Sequence, residues 1–305
     1  MLNLLNGDSL TESFKASGIE GEIAIWREGF ALGPVKFQFD IDFFKIRKNF
    51  WLQYNTASNQ FPNYHDFFVP QFNNLLNQAG QGVTLWFEHD LFCQINMISA
   101  IAQLDPTTPI WLVSIDHHNK HPNFKGLSNL SPEELFLLNS KALELTSGDI
   151  RYASHIWHLF CNSNPLEIQE ELQVKFPSSF PFLKKALEKH LERFPSINNG
   201  LNSIQTNILE KIKAPKTKNE LLKELLTEDN FYGFGDLEYN SIIDQLAWYY
   251  DIIQGEVTIN KTGKQLLEYK LDFFSNDITE FWLGGSLVTK KPQYRMESTN
   301  KLIRV

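Results

Sequence analysis

The sequence predicts an α/β fold class, and three observations predict it. Four short apolar runs read as buried strands: LNLLN (2–6), EIAIWRE (22–28), VTLWFE (83–88) and IWLVSI (110–115). Segments with helical spacing of apolar residues separate them. Each run stops at glycine or a polar cluster, where a chain turns. Strands alternating with helices imply a parallel, doubly wound sheet covered on both faces, Rossmann-like in layout. A helical region and a winged-helix-like C-terminal domain follow.

In chain order, the first strand ends at Gly7, and residues 9–17 read as a short helix. The second strand runs into the loop GFALGP. An aromatic-rich helix over about 38–55 precedes another over 64–79, which Gly80 and Gly82 break before the third strand. Residues 91–104 carry apolar side chains at helical spacing. Pro109 opens the fourth strand, which runs out into Asp116-His117-His118-Asn119-Lys120-His121. Residues 131–194 read as helices only, opening with Ser131 as N-cap, Pro132 at the first helical position, and Glu133 and Glu134 in the first turn. From Leu201, three helices (202–213, 217–227 and 237–250) precede the strand-like DIIQ and EVTI and a helix over 262–270. That is the order of a winged helix. These changes of pattern divide the chain into an α/β domain (1–125), a helical region (126–197) and a winged-helix-like domain with a C-terminal tail (198–305).

Composition bounds the function. The 305 residues, 42% hydrophobic and 21% charged, can bury a substantial core. No apolar run reaches the roughly 18–20 residues that span a bilayer, and no secretion signal is legible at the N-terminus. Cys93 and Cys161 sit in apolar helical patterns and read as reduced core thiols, so a cytoplasmic location is expected. A net charge of −8 argues against general affinity for nucleic-acid backbones or anionic membranes. The 13% aromatic content signals bulky packing.

Residues 7–10 read Gly-Asp-Ser-Leu, and a serine after the first strand resembles the GDSL, or SGNH, hydrolases. That resemblance implies a Ser9 nucleophile with an oxyanion-hole asparagine and a late Asp-x-x-His base. The middle block here is Phe87-Glu88-His89-Asp90, without the expected glycine and asparagine. None of the eight histidines has an aspartate three residues earlier, so the serine would lack its base. A plainer role is structural: Gly7 turns the chain, and Asp8 or Ser9 caps the next helix with Glu12 in reach.

A second resemblance covers most of the chain. It rests on NGDS after the first strand, GEIAIWREGFALGP, VTLWFEHDLFCQ, GLSNLSPEEL (126–135), the helical run around Trp157, GLNSIQTNIL, GFGD, TINKTGKQLL and FWLGG (281–285). Together these resemble the bacterial domain of unknown function 1835 family. The resemblance implies no particular reaction. It marks as signature positions Gly7, Asp8, Ser9, Glu22, Trp26, Glu28, Gly33 and Pro34, then Trp86, Asp90 and Gln94.

Ligands of doubly wound sheets bind beyond the carboxyl ends of the strands. Here those ends deliver Asp8 and Ser9, then Arg27 and Glu28, then Glu88, His89 and Asp90, then Asp116, His117 and His118. The candidate ligand-binding residues are therefore Asp8, Ser9, Glu28, His89, Asp90, Gln94 and Asp116. Their carboxylates suit a divalent metal, Mg²⁺ or Mn²⁺, and a phosphorylated small molecule. Alternatively, His89 with Asp116, His117 or His118 suits an acid–base pair. His117 and His121 have i, i+4 spacing, but Pro122 follows at once and no H-E-x-x-H glutamate is present, so the run reads as a solvated loop.

The expected function is that of a small-molecule-binding protein or enzyme with its site at this sheet edge. The alternative is a non-enzymatic regulatory or protein-interaction protein that uses the α/β domain as a sensor. A DNA-binding regulator is disfavoured. Residues 224–260, which include the third helix, hold eight acidic residues and no lysine or arginine.

Overall fold

The computed structural model describes residues 1–54, 64–121, 124–228, 231–276 and 280–305. Residue 55, the last of the expected 38–55 helix, and Pro122 lie outside these. The fold is mixed α/β. Its first half runs β1 (Leu2–Asn6), α1 (Thr11–Ala16), β2 (Glu22–Trp26), α2 (Ile41–Tyr54), α3 (Tyr64–Phe67), α4 (Val69–Gln78), β3 (Val83–Trp86), α5 (Leu91–Gln103) and β4 (Ile110–Val113). Then come α6 (Pro132–Asn139), β5 (Leu143–Glu144), α7 (Ser147–Cys161), α8 (Leu166–Glu171) and α9 (Leu183–Leu191).

Five strands form one sheet in the order β2-β1-β3-β4-β5. β1 pairs in parallel with β2 (Leu4 opposite Ala24) and with β3 (Leu4 opposite Leu85), and β3 pairs in parallel with β4 (Leu85 opposite Leu112). Strands buried on both faces need near-continuous apolar sequence, and LNLL and VTLW supply it. The strand order reverses between β1 and β3, and in open parallel sheets a ligand crevice commonly lies at the carboxyl edge of such a switch point.

β5 corrects the expectation of helices alone across 131–194. Leu143 and Glu144 pair antiparallel with Leu112 and Trp111 and form the sheet's far edge. Two exposed residues carry no alternation for a sequence pattern to detect.

Helices cover both faces. On one, α1 and α6 enclose Leu5, Leu10, Phe14, Trp86, Val113, Leu127, Leu130 and Leu135, with Phe14 set edge-on to Trp86 at 5.0 Å. On the other, α5 lies between the sheet and α7 and α9, and is buried almost all round. Trp26, Phe30, Phe39, Phe43, Phe68, Phe72 and Trp157 interlock beside it, which accounts for the phenylalanine-rich composition. α6 starts as its sequence requires: Ser131 accepts from the Glu134 N–H, Glu134 returns the bond, and Pro132 occupies the first turn.

The C-terminal third contains α10 (Ser203–Lys211), β6 (Lys216–Thr217), α11 (Lys218–Thr227), α12 (Asp236–Gln245), β7 (Tyr250–Ile253), β8 (Glu256–Ile259) and α13 (Lys261–Leu267). β6, β8 and β7 form a small antiparallel sheet in that order. α12 stops at Gln245, short of the expected 250. A 3₁₀ turn at Ala247–Tyr249 then leads directly into β7. Two antiparallel pairs end the chain: β9 (Phe281–Leu283) with β10 (Ser286–Val288), and β11 (Tyr294–Met296) with β12 (Leu302–Arg304). Gly284 turns the first with φ +62°, and the Gly285 N–H donates to the Phe160 carbonyl at 2.9 Å. A side chain at Gly285 would collide with the Cys161 backbone, so the Gly284–Gly285 pair serves both a turn and a close approach.

The larger core runs without a break from the sheet through the helical segment to Leu302. Both cysteines are free thiols. Among the described residues no helix is long and apolar enough to cross a membrane.

Candidate functional site

The carboxyl ends of β1 and β3 bring together residues that the sequence scatters. Asn6, the last residue of β1, donates from its amide to the Cys93 sulfur at 3.0 Å. The Cys93 thiol donates to Glu88 Oε2 at 3.2 Å. Asn96, buried on the same helix, donates to Asn6 Oδ1 at 2.9 Å and to the Glu28 carbonyl at 2.6 Å, and accepts from the Phe30 N–H at 3.0 Å. Gln94, also buried, donates to the Glu88 carbonyl at 2.7 Å and lies 3.5 Å from Ser114 Oγ. A polar chain therefore runs from β1 through α5 to the loop after β3, with every link satisfied.

Glu88 is its chemical centre. Oε1 accepts the Leu127 N–H at 3.0 Å, and Gly126 lies so close that a Cβ there would press on the carboxylate. Burial pushes the Glu88 carboxyl above its usual range, and the nearby Asp90 charge pushes it further. Asp90 is raised too, by burial, although the Cys93 N–H donates to its Oδ1 at 2.8 Å as the N-cap bond of α5. Burial and these two acids hold the Cys93 thiol well above its ordinary value, so it stays protonated and serves as a donor.

A carboxyl raised on folding binds more protons in the folded state than in the unfolded one. It therefore adds stability below its ordinary value of 4.5, and that contribution is lost as pH rises through the folded value. Stability against urea is thus expected to fall as pH rises above about 4.5. Glu88→Gln should flatten that part of the profile. An unchanged slope in the variant would show that Glu88 is not the titrating group.

The other expected site residues are placed differently. Asp8 and Ser9 are exposed at the turn after β1, where Gly7 takes φ +88°. Neither caps α1: its N-cap is Leu10 with no side-chain bond, and the Asp8 carboxylate is instead held by Arg27 through three hydrogen bonds of 2.7–3.1 Å. Arg27 outcompetes the helix because a guanidinium offers a bidentate, charged donor pair.

Glu28 does not line the edge. It is fully buried, ion-paired to Arg47 at 2.6 and 2.8 Å, and also accepts from Trp51 Nε1 and the Gly29 N–H. Arg47 uses its remaining donors on the Leu32, Pro34 and Gly29 carbonyls. This is an internal strut that fixes the GFALGP loop.

His89 packs edge-on against Phe231 at 4.9 Å and Phe182 at 5.9 Å. Asp116 is exposed and pairs with His117 Nδ1 at 2.5 Å. The expected acid–base pairing of His89 with Asp116, His117 or His118 is therefore not formed. Nor do Asp8, Glu28 and Asp90 gather as metal ligands; each has a different partner.

A segment from the C-terminal third lies against the N-terminus of α5 at these strand ends. The first two N–H groups of α5, on Leu91 and Phe92, donate to the Phe231 and Tyr232 carbonyls at 2.9 and 3.2 Å. Phe231 is held at φ +60°, a strained conformation for a phenylalanine. Gly233 lies directly against the Asp90 carboxylate, leaving no room for a side chain. The α5 N-terminus, an ordinary seat for an anion, is thus occupied by carbonyls of the chain itself.

A separate groove of about 610 Å³ lies between α8, α9 and the β11–β12 pair, lined by Lys184, Lys185 and Lys301 among acidic and amide residues. None of its lining residues belongs to the five-stranded sheet or to the loops that follow β1 to β4.

Sequence reasoning did not find Cys93, Asn6 and Asn96. Cys93 and Asn96 sit in an apolar helical run, and the one legible signal was polar residues three apart on a helix that leaves a strand end. No protein-family model matches the chain, and no curated protein matches it either.

Proposed function

We propose that this protein binds a small molecule, phosphorylated ones included, at the β1–β3 crevice, with Glu88 as the group poised for proton transfer. In this reading the sheet is a Rossmann-like α/β unit, akin to the domain of unknown function 1835 family, and the α10–α13 segment is a winged-helix-like module. The observation that carries it is the convergence of Asn6, Glu88, Asp90, Cys93 and Gln94 at the sheet's topological switch point, with two carboxyls raised by burial. Perturbed carboxyls in such a crevice are the usual mark of acid–base chemistry.

A second reading has its own observation. The Phe231–Gly233 segment caps α5 and belongs to the stretch that leads into α12. A ligand whose anionic group takes the α5 N-terminus must lift that segment, which would pass occupancy of the crevice to the C-terminal module. That is the behaviour of a sensor that acts on a protein partner. DNA is a poor partner for this module, because α12 carries Asp236, Glu238 and Asp244 and no cation.

A thermal-shift screen of nucleotides, sugar phosphates and other small acids tests the proposal. A cognate ligand at about 100 times its Kd should stabilise the wild type by about 2.7 kcal/mol. Glu88→Gln should abolish that gain, while Asp8→Ala, at the exposed rim, should reduce it. A ligand that stabilises all three proteins equally would place the site elsewhere. If no compound shifts the wild type but a protein partner is retained on it, the interaction role replaces the enzymatic one.

A further inference from the structure

The loop after β4 brings the rings of His118 and His121 together, tilted at 41° to each other. The His121 N–H donates to the His118 carbonyl at 2.9 Å, the two residues form an isolated antiparallel bridge, and their ring centroids stand 5.1 Å apart. Glu134, in the first turn of α6, reaches the same point, with Oε2 2.9 Å from His121 Nε2. One nitrogen from each ring and one Glu134 oxygen all lie within 4.8 Å of one another.

Tetrahedral zinc with bonds of about 2.0–2.1 Å spaces its ligand atoms roughly 3.3 Å apart, so a loop adjustment on the order of 1 Å seats all three on one ion. His118 Nδ1 is shielded from solvent and has no hydrogen-bond partner among the described residues. Such an atom calls for a specific explanation, and a bound ion is one.

The surrounding bonds suit a metal centre. The Ser131 N–H donates to Glu134 Oε2 at 3.0 Å, while the Glu134 N–H donates to Ser131 Oγ, so the helix cap fixes the carboxylate's direction. Lys120 Nζ, 3.6 Å from Oε1, is a competing cation on the other carboxylate oxygen. Two imidazoles with one carboxylate favour zinc and its neighbours over Mg²⁺ or Ca²⁺, which prefer all-oxygen shells.

We propose that His118, His121 and Glu134 form a three-ligand site for a divalent transition metal, zinc foremost, with a fourth position open to water or an oxygen-donor ligand. The site shares no residue with the β1–β3 crevice and does not rest on the function proposed for it. His117, turned to Asp116, is not a ligand.

Co²⁺ titration of chelator-treated full-length protein, followed by visible absorption and by Zn²⁺ competition, tests this. Wild type should take up one Zn²⁺ per chain and give a cobalt spectrum that Zn²⁺ abolishes. His118→Ala and His121→Ala should each weaken binding by more than about 100-fold, since losses in the outer shell alone cost about 10–100-fold. His117→Ala should bind as wild type does. Glu134→Gln should also weaken binding. Because Glu134 caps α6, the two histidine variants, in a surface loop, decide the matter if that variant melts early. Zn²⁺ affinity unchanged in His118→Ala, or no uptake by folded wild type, would overturn the assignment.

Discussion

Arg47→Met is expected to destabilise the fold by about 3–5 kcal/mol, the usual cost of leaving one member of a buried ion pair without its partner. Neither side chain of the Arg47–Glu28 pair has any solvent exposure. Methionine keeps much of the volume but none of the five donors. It strands the Glu28 carboxylate and frees the Leu32 and Pro34 carbonyls together. Arg47 is also stacked among Phe30, Phe50 and Trp51 at 5.0–5.6 Å, so its loss loosens the aromatic core as well as the loop. Glu28→Gln should cost less, because the amide oxygen still accepts a bond. Replacing both residues with apolar ones should recover part of the loss, as paired removal of a buried ion pair often does. Urea denaturation reads all three. A loss below about 1 kcal/mol for Arg47→Met would mean that the pair is solvated in solution.

Gly233→Ala is expected to detach the 231–235 segment from the crevice. The backbone there has φ +67°, which costs an L-residue about 1–2 kcal/mol. The added methyl would also fall inside the Asp90 carboxylate, an overlap that typically adds about 1–3 kcal/mol. Asp90 has little freedom to give way, since it is fixed as the α5 N-cap. The chain then relieves the clash by moving the segment outward, breaking the bonds from Leu91 and Phe92 to the Phe231 and Tyr232 carbonyls. Amide hydrogen exchange at Leu91 and Phe92 should speed up well before the β-sheet amides change. If the crevice binds an anionic ligand at the α5 N-terminus, the same variant should bind it more tightly, because the competing carbonyls are gone. Exchange unchanged at Leu91 and Phe92 would show that the segment accommodates the methyl without opening.

Much of the candidate site was half legible. A strand end identifies an edge of the sheet, so Asp8, Ser9, His89, Asp90 and Asp116 could be placed there from pattern alone. Whether a side chain then faces a ligand, a neighbour or water depends on partners far along the chain. Glu28 follows β2 as the pattern requires, yet its partner Arg47 arrives on a helix 19 residues later and turns it inward. Asp8 is a natural capping residue, but Arg27 from the adjacent strand end offers the stronger bond. His118 rather than His117 meets His121, because the loop closes through a bond between residues three apart, and a four-residue spacing misses it.

The sequence by itself determined the alternation that makes a parallel sheet, the carboxyl edge where polar groups emerge, the start of α6 and the acidity of α12. These follow from local periodicity, capping and charge, which need no distant contact. Only the tertiary structure decided that Glu88 stays at the β1–β3 strand ends, its carboxyl raised by burial, while Glu28 turns inward to Arg47. It also decided that Cys93 bridges Glu88 to Asn6 and that Phe231–Gly233 lies across the helix end. The physical reason is that burial and hydrogen-bond pairing are properties of the packed chain: a carboxylate beside a buried arginine becomes an ion-paired strut, and one buried beside a thiol and a second acid is raised above its ordinary range.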